Sequence, residues 1–567
     1  MMSLVQRQQR LNKIKDQYDV AVIGGGIYGA ATAWEAASRG LKVILIEAED
    51  FCSGTSANSL KTIHGGLRSL QRFDFPEMRE YIRERRALLR IAPHLVIPMQ
   101  CVIPTFSKFS KSRLFLGTGL KVYDLIAYDR NRGLDAARRI KKTQIISAEK
   151  VRKFAPDLDS ATVTGGASWF DAQAYNSERL VLAFIMSAKQ AGADVFNYVR
   201  KKNYTAEQGA VTGVSASDQL TGEDIHIIAR AVIDCTGPWV AGDEAFTATT
   251  AEKRRPKLMA RAVNLVLNRK LSSCALGANT SATPDGSDRL MFIAPWRQGS
   301  IVGTWYYPQT SKANKQTLSD AELSQCLSQI NSVFPSLALS RENVTRIHHG
   351  VQPAEPAADK NSEPDLWRHT RIIDSNAGDI SAGLFWVQGV KLTTARATAE
   401  HVINRVAGYL HADISPSRTS VTALYGGEIS EYERFEEDCF KELSDTLSAE
   451  TITRLIRNYG SNISVIMRLC EKDQSLAQLV PGTDDTIKAE LEFILGNEMV
   501  YTLSDLILRR TDIGSFECPG NETIEYCADI IADHLHWDSQ QRAENIKQLI
   551  QNYPEWSYLH EGKNAVV

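Results

Sequence analysis

Residues 18–47 read as a strand, a glycine turn, a helix and a second strand in immediate succession, a unit that few folds accommodate. YDVAVI is apolar, carries β-branched residues and runs straight into Gly24, Gly25 and Gly26, as a buried parallel strand feeding a tight turn does. IYGAATAWEAASRG then reads as a helix of small residues closing on Gly40, and LKVILIEAED returns as a strand. Gly24, Gly26 and Gly29 form GxGxxG, whose steric roles are the turn, the close approach of backbone to a pyrophosphate and tight packing of helix on strand. The helix starting near Ile27 aims unpaired N–H groups and the positive end of its dipole at that pyrophosphate. Glu47, at the end of the second strand, is placed to accept hydrogen bonds from an adenosine ribose, and its charge repels a 2′-phosphate, so NADP is a poor candidate. A glycine triad alone is a weak signal, but strand, triad, small-residue helix and acidic strand end together predict a dinucleotide site. FAD and NAD share the fingerprint, and at this point both stand.

The composition excludes other classes. Among 567 residues, 65 Lys and Arg oppose 67 Asp and Glu for a formal charge of -2, so no global basic field exists to hold nucleic acid. The 9 cysteines form no CxxC pair and lie in no His-rich tract, which argues for structural thiols and no metal site. The polar, basic leader 1–17 lacks the apolar stretch of a secretory signal, and no apolar run of about 18 residues follows, so a cytoplasmic protein without a membrane span is expected. Strand-like segments (GVSASDQLTGEDIHIIARAVIDCTG, RAVNLVLN, MFIAPWRQGSIVGTWYY, DLWRHTRIIDSNAGDISAGLFWVQGV) suggest two layers interleaved along one chain. LSDAELSQCLSQINSVF reads as an amphipathic helix, and after residue 420 the pattern is helical throughout. The expected organisation is thus a leader, a mixed unit over 18–420 and a helical domain over 421–567.

After the second strand comes FCSGTSANSLKTIHGGLR, and near residue 230 comes ARAVIDCTGPWV, where Thr236 and Gly237 offer a second close approach to a flavin lying across the sheet. GGGIYGAATAWEAASRG, SGTSANSLKTIHGGLRSL, DCTGPWV, GVKLTTAR and NYGSN, in that order, resemble the FAD-dependent glycerol-3-phosphate dehydrogenase family within the broader amine and glycerol oxidoreductase group, over nearly the whole chain from Tyr18. The resemblance implies an α/β fold: a Rossmann-type FAD-binding domain (core about 18–75, 225–240 and 375–410) interleaved with an α+β substrate domain, plus the C-terminal helical domain. It implies FAD as cofactor, contacted by Gly24, Gly26, Gly29, Glu47, Thr55, Ser56, Gly65, Gly66, Thr236, Gly237, Gly389, Lys391, Leu392 and Thr393. Oxidising a secondary alcohol with flavin requires a positioned C–H, a group that takes the hydroxyl proton, and anchors for the substrate anion. Arg68 in HGGLR and Lys391 in GVKLTTAR match family positions that face the substrate.

The substrate side departs from the family pattern while the cofactor side does not. An arginine of the family's GVRP segment is replaced in Gly350-Val351-Gln352-Pro353, exchanging a bidentate cation for a neutral amide. Ser69 stands where a tyrosine is usual, Val390 and Ala395 alter GGKLTTYR, and a Lys-Gly-Ser-His segment has become Arg261-Ala262-Val263-Asn264. Expected substrate contacts are therefore Arg68, Lys391, Gln352, Arg261 and Asn264, and the substrate is glycerol 3-phosphate or a related glycerol-derived molecule. The alternative is an FAD oxidase of a different alcohol or amine in a specialised biosynthetic pathway, and a third reading is a flavin-binding protein with a decayed site. His64 and His349, the latter next to His348, are candidates for the proton acceptor alongside the catalytic cations Arg68 and Lys391. Trp305, Tyr306 and Tyr307 either line an enlarged pocket or belong to a core. The residues do not choose between quinone and oxygen as electron acceptor. The basic, apolar segment 108–127, with Lys108, Phe109, Lys111, Arg113, Leu114 and Phe115, suits either an anionic membrane surface on the inner face or an ordinary amphipathic helix. A homodimer is among the expected assemblies.

Overall fold

β1 (Tyr18–Ile23) is buried along its length except at Asp19, and lies parallel between β2 (Val43–Ile46) and β10 (Asp224–Asp234). The sheet continues outward to β7 (Asp194–Phe196) beyond β2, and to β18 (Leu384–Gln388) and β17 (Arg371–Asp374) beyond β10. β8 (Val199–Glu207) and β9 (Ala210–Asp218) form the expected antiparallel meander with β10. These elements belong to a computed structural model that describes residues 4–12, 14, 17–106, 113–159, 163–242, 256, 258–280, 289–309, 318–356, 363–375 and 382–557. Residues Leu4–Leu11 of the polar leader form a helix, α1, whose Arg7 donates to Asp218 Oδ2 at 2.5 Å and to the Asn197 carbonyl at 2.9 Å. α2 (Ile27–Ser38) crosses from β1 to β2, and its alanines pack against α6 (Ser177–Gln190) and α8 (Ala395–Leu410).

The second sheet runs, edge to edge, β16 (Asp365–Leu366), β15 (Val344–Glu355), β11 (Leu258–Leu267), β14 (Gly299–Gln309), β13 (Arg289–Trp296), β12 (Ala275–Thr280), β4 (Val96–Thr105), β6 (Gly165–Ala174) and β3 (Thr62–Ile63), with β5 (Gln144–Ser147) also on β6. Its strands come from chain segments that alternate with those of the first sheet, so the two layers are interleaved as expected. α4 (Arg113–Ile126) and α5 (Ala148–Phe154) pack on β6, α3 (Phe75–Ile91) bridges the layers, and α7 (Asp320–Val333) lies behind the second sheet. Lys108, Phe109 and Lys111 lie outside the described residues, as do the side chains of Arg113, Leu114 and Phe115. Among the described residues no helix is long and apolar enough to cross a membrane. All nine cysteines are free and buried.

Six helices between Tyr432 and Ile550 close the chain. Buried ion pairs join this region to the rest of the chain: Arg179 of α6 to Glu498, Arg297 to Asp512, and Asp50 to both Arg509 and Arg510. Asp50, just after β2, accepts from Arg510 Nη1 and Nη2 at 2.7 Å each and from Arg509 Nε at 2.5 Å. Burial alone would raise its carboxyl, but the two guanidiniums overcome that and hold it below the ordinary carboxylate range. A carboxylate depressed in the folded state stabilises above its unfolded pKa, and that contribution disappears as pH falls. Asp50→Asn is therefore expected to lower the melting temperature at neutral pH, because breaking a buried pair costs about 3–5 kcal/mol. It is also expected to flatten the acid side of a melting-temperature profile. A variant that melts like the wild type at pH 7 contradicts this.

Candidate active site

The carboxyl ends of β2, β1, β10 and β18 reach one edge of the first sheet, and between β1 and β10 the strand order reverses, the position where open α/β sheets take ligands. Here a cavity of about 2130 Å³ extends from Gly24, Gly26 and Glu47, past Thr55, Ser56, Thr236 and Gly237, to the inner face of the second sheet. That is about twice the upper end of the roughly 300–1,000 Å³ usual for small-molecule pockets, so the space suits a dinucleotide together with a substrate.

The glycine turn is sterically compulsory. Gly24 has φ +102°, and a Cβ there would come within 2.8 Å of the Cys235 carbonyl oxygen at the end of β10. A Cβ at Gly29 would fall 1.8 Å from the Gly24 carbonyl oxygen, so Gly29 packs the helix onto the turn and does not itself line the cavity. Gly26 caps α2 without any side-chain hydrogen bond, and a Cβ on it would stand 3.2 Å from Ser56 Oγ, which accepts from the Ile27 N–H at 3.0 Å. The open helix end and the close-set glycines form a cradle that fits a pyrophosphate. Glu47 accepts from the Gly25 and Glu49 N–H groups at 2.6 and 2.9 Å; burial raises its pKa against those hydrogen bonds. Thr236 is fixed by Asp234 Oδ1, which accepts from its N–H at 2.9 Å and its hydroxyl at 2.6 Å. Thr55 ties the loop to β15 by accepting from the Val351 N–H at 3.0 Å.

The same cavity wall includes His64, Gly66, Arg68, Asn264, Gln352, Gly389, Lys391, Leu392 and Thr393. Tyr28 shapes the β18–α8 turn: its hydroxyl accepts from the Val390 and Lys391 N–H groups at 3.2 and 3.1 Å and donates to the Lys391 carbonyl at 2.7 Å. A Cβ at Gly389 would meet the Tyr28 ring at 2.0 Å. Lys391 Nζ lies 3.8 Å from Glu77 Oε1 and 5.0 Å from the Tyr81 ring centre. Its pKa is lowered first by burial, with Glu77 opposing and Arg72, Arg68 and Arg368 adding to the drop. Arg72 is lowered likewise by burial, then by Arg368 and Arg68. Arg68, Arg72, Arg368 and Lys391 thus share one electrostatic neighbourhood on the same cavity. Among the described residues no hydrogen bond or ion pair holds Arg68, Arg72 or Arg368, which leaves the guanidiniums available to an anion.

Besides Gly29, three expected residues stand off the cavity wall: Arg261, His349 and Gly65. Arg261 on β11 pairs with Glu322 of α7 and lies 5.0 Å from the Tyr307 ring, whereas Ala262 and Asn264 line the cavity. Its side chain takes the opposite face because alternate strand residues point to opposite sides. His349 sits opposite Val263 on that same far face, where burial foremost, then Arg261, lowers its pKa to about 4; it does not line the cavity, and neither does buried His348, whose Nδ1 is 3.4 Å from the Ser59 carbonyl oxygen. Gly65 is buried beneath the wall, its position fixed by Arg85 and Tyr123. Of the aromatic run, Tyr306 lines the cavity, Trp305 is core and Tyr307 packs with it. The structure adds Tyr28, Lys61, Arg72, Asp171 and Arg368 to the wall. Lys61 was legible only as part of SLKTIHGG; it is fully buried, with Nζ 2.9 Å from Glu178 Oε2.

A family model described as FAD dependent oxidoreductase matches residues 19–405, and one described as the C-terminal domain of alpha-glycerophosphate oxidase matches residues 417–542. Glycerol-3-phosphate dehydrogenase of Synechocystis sp. is 31% identical over 94% of this chain and 95% of its own, and the aerobic glycerol-3-phosphate dehydrogenase of Staphylococcus aureus is 28% identical over 95% of each. Among solved structures, the glycerol-3-phosphate dehydrogenase from Bacillus halodurans complexed with FAD superimposes with a TM-score of 0.73 at 24% identity, covering 96% of this chain and 97% of that one.

Proposed function

The chain belongs to the family of FAD-dependent oxidoreductases, and on that premise we propose that it oxidises an anionic glycerol derivative, glycerol 3-phosphate foremost, at its hydroxyl-bearing carbon. The cofactor is FAD. The observation that carries the substrate assignment is the convergence of Arg68, Arg72, Arg368 and Lys391 in one electrostatic neighbourhood of the cavity wall. Arg72 and Arg368 offset the loss of an arginine at Gln352, because guanidinium forks bind phosphate oxygens in pairs. An amine substrate gains nothing here, since its ammonium would enter a field of like charge.

In this reading Gly24, Gly26 and the α2 N-terminus hold the pyrophosphate, Glu47 the ribose, and Thr236, Gly237 and Gly389 to Thr393 the region toward the flavin ring. Bound FAD supplies the acceptor for the carbon's hydride, which converts the alcohol to a ketone. The arginines seat the phosphate, and Lys391 sits where it favours negative charge developing beside the reacting carbon. His64, the one of the three histidines that lines the cavity, accepts the hydroxyl proton; its side chain is 47% exposed. Asn264 and Gln352 offer neutral hydrogen bonds to the glycerol hydroxyls.

The organisation this reading adopts is a FAD-binding domain interleaved with a substrate domain over 18–420 and a helical domain over 421–567. Exposed Phe73, Phe75, Val122, Leu125 and Tyr128, on and beside α3 and α4, support peripheral contact with a membrane, and quinone or oxygen receives the electrons. Anaerobic glycerol 3-phosphate is expected to bleach the flavin of the purified holoenzyme and yield dihydroxyacetone phosphate, while glycerol at equal concentration leaves the colour. Unbleached flavin with glycerol 3-phosphate, or equal bleaching by glycerol, overturns the assignment.

A further inference from the structure

We propose that Asp171, which no sequence motif marked, is a positioning residue that sets which ring nitrogen of His64 presents its lone pair to the cavity. The proposal rests on the reading of His64 as proton acceptor. Asp171 lies on β6 and is 4% exposed, with its Oδ2 3.7 Å from His64 Nδ1. Its Oδ1 accepts from the Gly65 N–H at 2.7 Å and from Arg85 Nη1 at 2.8 Å. Arg85 is itself buried and also donates to the Phe170 carbonyl at 2.7 Å. Tyr123 of α4 donates to the Gly65 carbonyl at 3.1 Å, and the His64 N–H donates to Thr393 Oγ1 at 3.0 Å. The His64-Gly65 backbone is thereby clamped by β6, α3, α4 and the turn before α8.

A carboxylate facing Nδ1 favours the tautomer with its proton on Nδ1, which leaves the Nε2 lone pair to face the cavity. When Nε2 takes the hydroxyl proton, the same carboxylate lies against the imidazolium that results. Asp171 is ready for this because it stays ionised: burial pushes its carboxyl up, but His64 and Arg85 outweigh burial and hold it below the ordinary value. Asp171 on β6 faces the imidazole and Arg85 on α3 pairs with Asp171 behind it, while Glu77 on α3 pairs with Lys391, which lines the same cavity as His64 and Arg68. Among the described residues the carboxylate paired with the ring itself is Asp171, so its removal is the substitution that tests the pairing.

The test uses FAD-loaded enzyme and glycerol 3-phosphate. Asp171→Asn keeps the shape and an oxygen for Gly65 and Arg85 but presents no charge to Nδ1. It is expected to lower kcat about 100-fold or more, within the span of roughly 10²–10⁴ that general-base catalysis supplies, with KM little changed and flavin content at the wild-type level. The acidic limb of its kcat/KM profile is expected to move to lower pH, because the imidazolium has lost its counter-charge. Adding Asp171→Asn to His64→Ala is expected to cause no further loss, whereas multiplying losses mean that Asp171 acts apart from the histidine and overturn the proposal. Should the Asn variant fail to hold flavin, Asp171→Glu serves instead: retention of the wild-type acidic limb supports positioning, and a displaced limb overturns it. His64→Ala with wild-type kcat refutes the base assignment itself, while a slow His64→Ala beside a fully active Asp171→Asn refutes only the role of Asp171.

Discussion

Gly29→Ala is expected to give protein depleted of flavin. The new methyl carbon would lie 1.8 Å from the Gly24 carbonyl oxygen and 3.0 Å from its carbon, and both are backbone atoms that no rotamer change moves aside. Gly24 has no slack of its own, since it occupies φ +102° and abuts the Cys235 carbonyl group. Relief therefore requires α2 to lift from the β1 turn, which withdraws the helix N-terminus from the pyrophosphate cradle. Overpacking strain of about 1–3 kcal/mol, taken from cofactor binding, weakens affinity roughly five- to 150-fold. The measurement is the flavin-to-protein ratio after desalting, and stoichiometric flavin in the variant contradicts the argument. Gly408→Ala is the control: it lies within α8, where an added Cβ meets nothing within 4 Å, and is expected to retain flavin with unchanged or higher stability.

Removing Arg72 and Arg368 together is expected to raise KM for glycerol 3-phosphate by two orders of magnitude or more. Each guanidinium-to-phosphate contact contributes about 1.5–3 kcal/mol, so each single alanine variant weakens binding about ten- to 150-fold. Neither side chain has an ion-pair partner among the described residues, so the loss falls on the substrate and not on the fold. Both are exposed, and melting temperature is expected to stay near the wild type. The flavin spectrum should be unchanged, because neither arginine belongs to the cradle formed by Gly24, Gly26 and the α2 N-terminus. A double variant with KM within threefold of wild type would place the phosphate elsewhere. High salt is expected to raise the wild-type KM and to affect the double variant less, as screening acts on charges already removed.

The β1–turn–α2–β2 unit was readable residue by residue because the contacts that define it join neighbours along the chain: Gly24 to Gly29, Gly26 to Ser56, Glu47 to the Gly25 N–H. Arg68, Lys391 and Gly389 were found through their resemblance to family motifs and Thr236 as a small residue after a strand, and each lines the cavity. On β11 and β15, by contrast, the sequence offered Arg261 and Asn264, or His349 and Gln352, with nothing to rank one face over the other. Strand alternation separates such residues only once the register is set and one face is covered; here α7 covers the face that takes Arg261. Arg72, Arg368 and Asp171 were invisible for a related reason. Each sits in a segment without a motif and acquires meaning from a partner far along the chain, as Asp171 does from Gly65, 106 residues away. Chemistry carried by a short stretch of backbone is written where it acts, whereas a charge cluster or a histidine's counter-ion exists only after two sheets have closed over a common cavity.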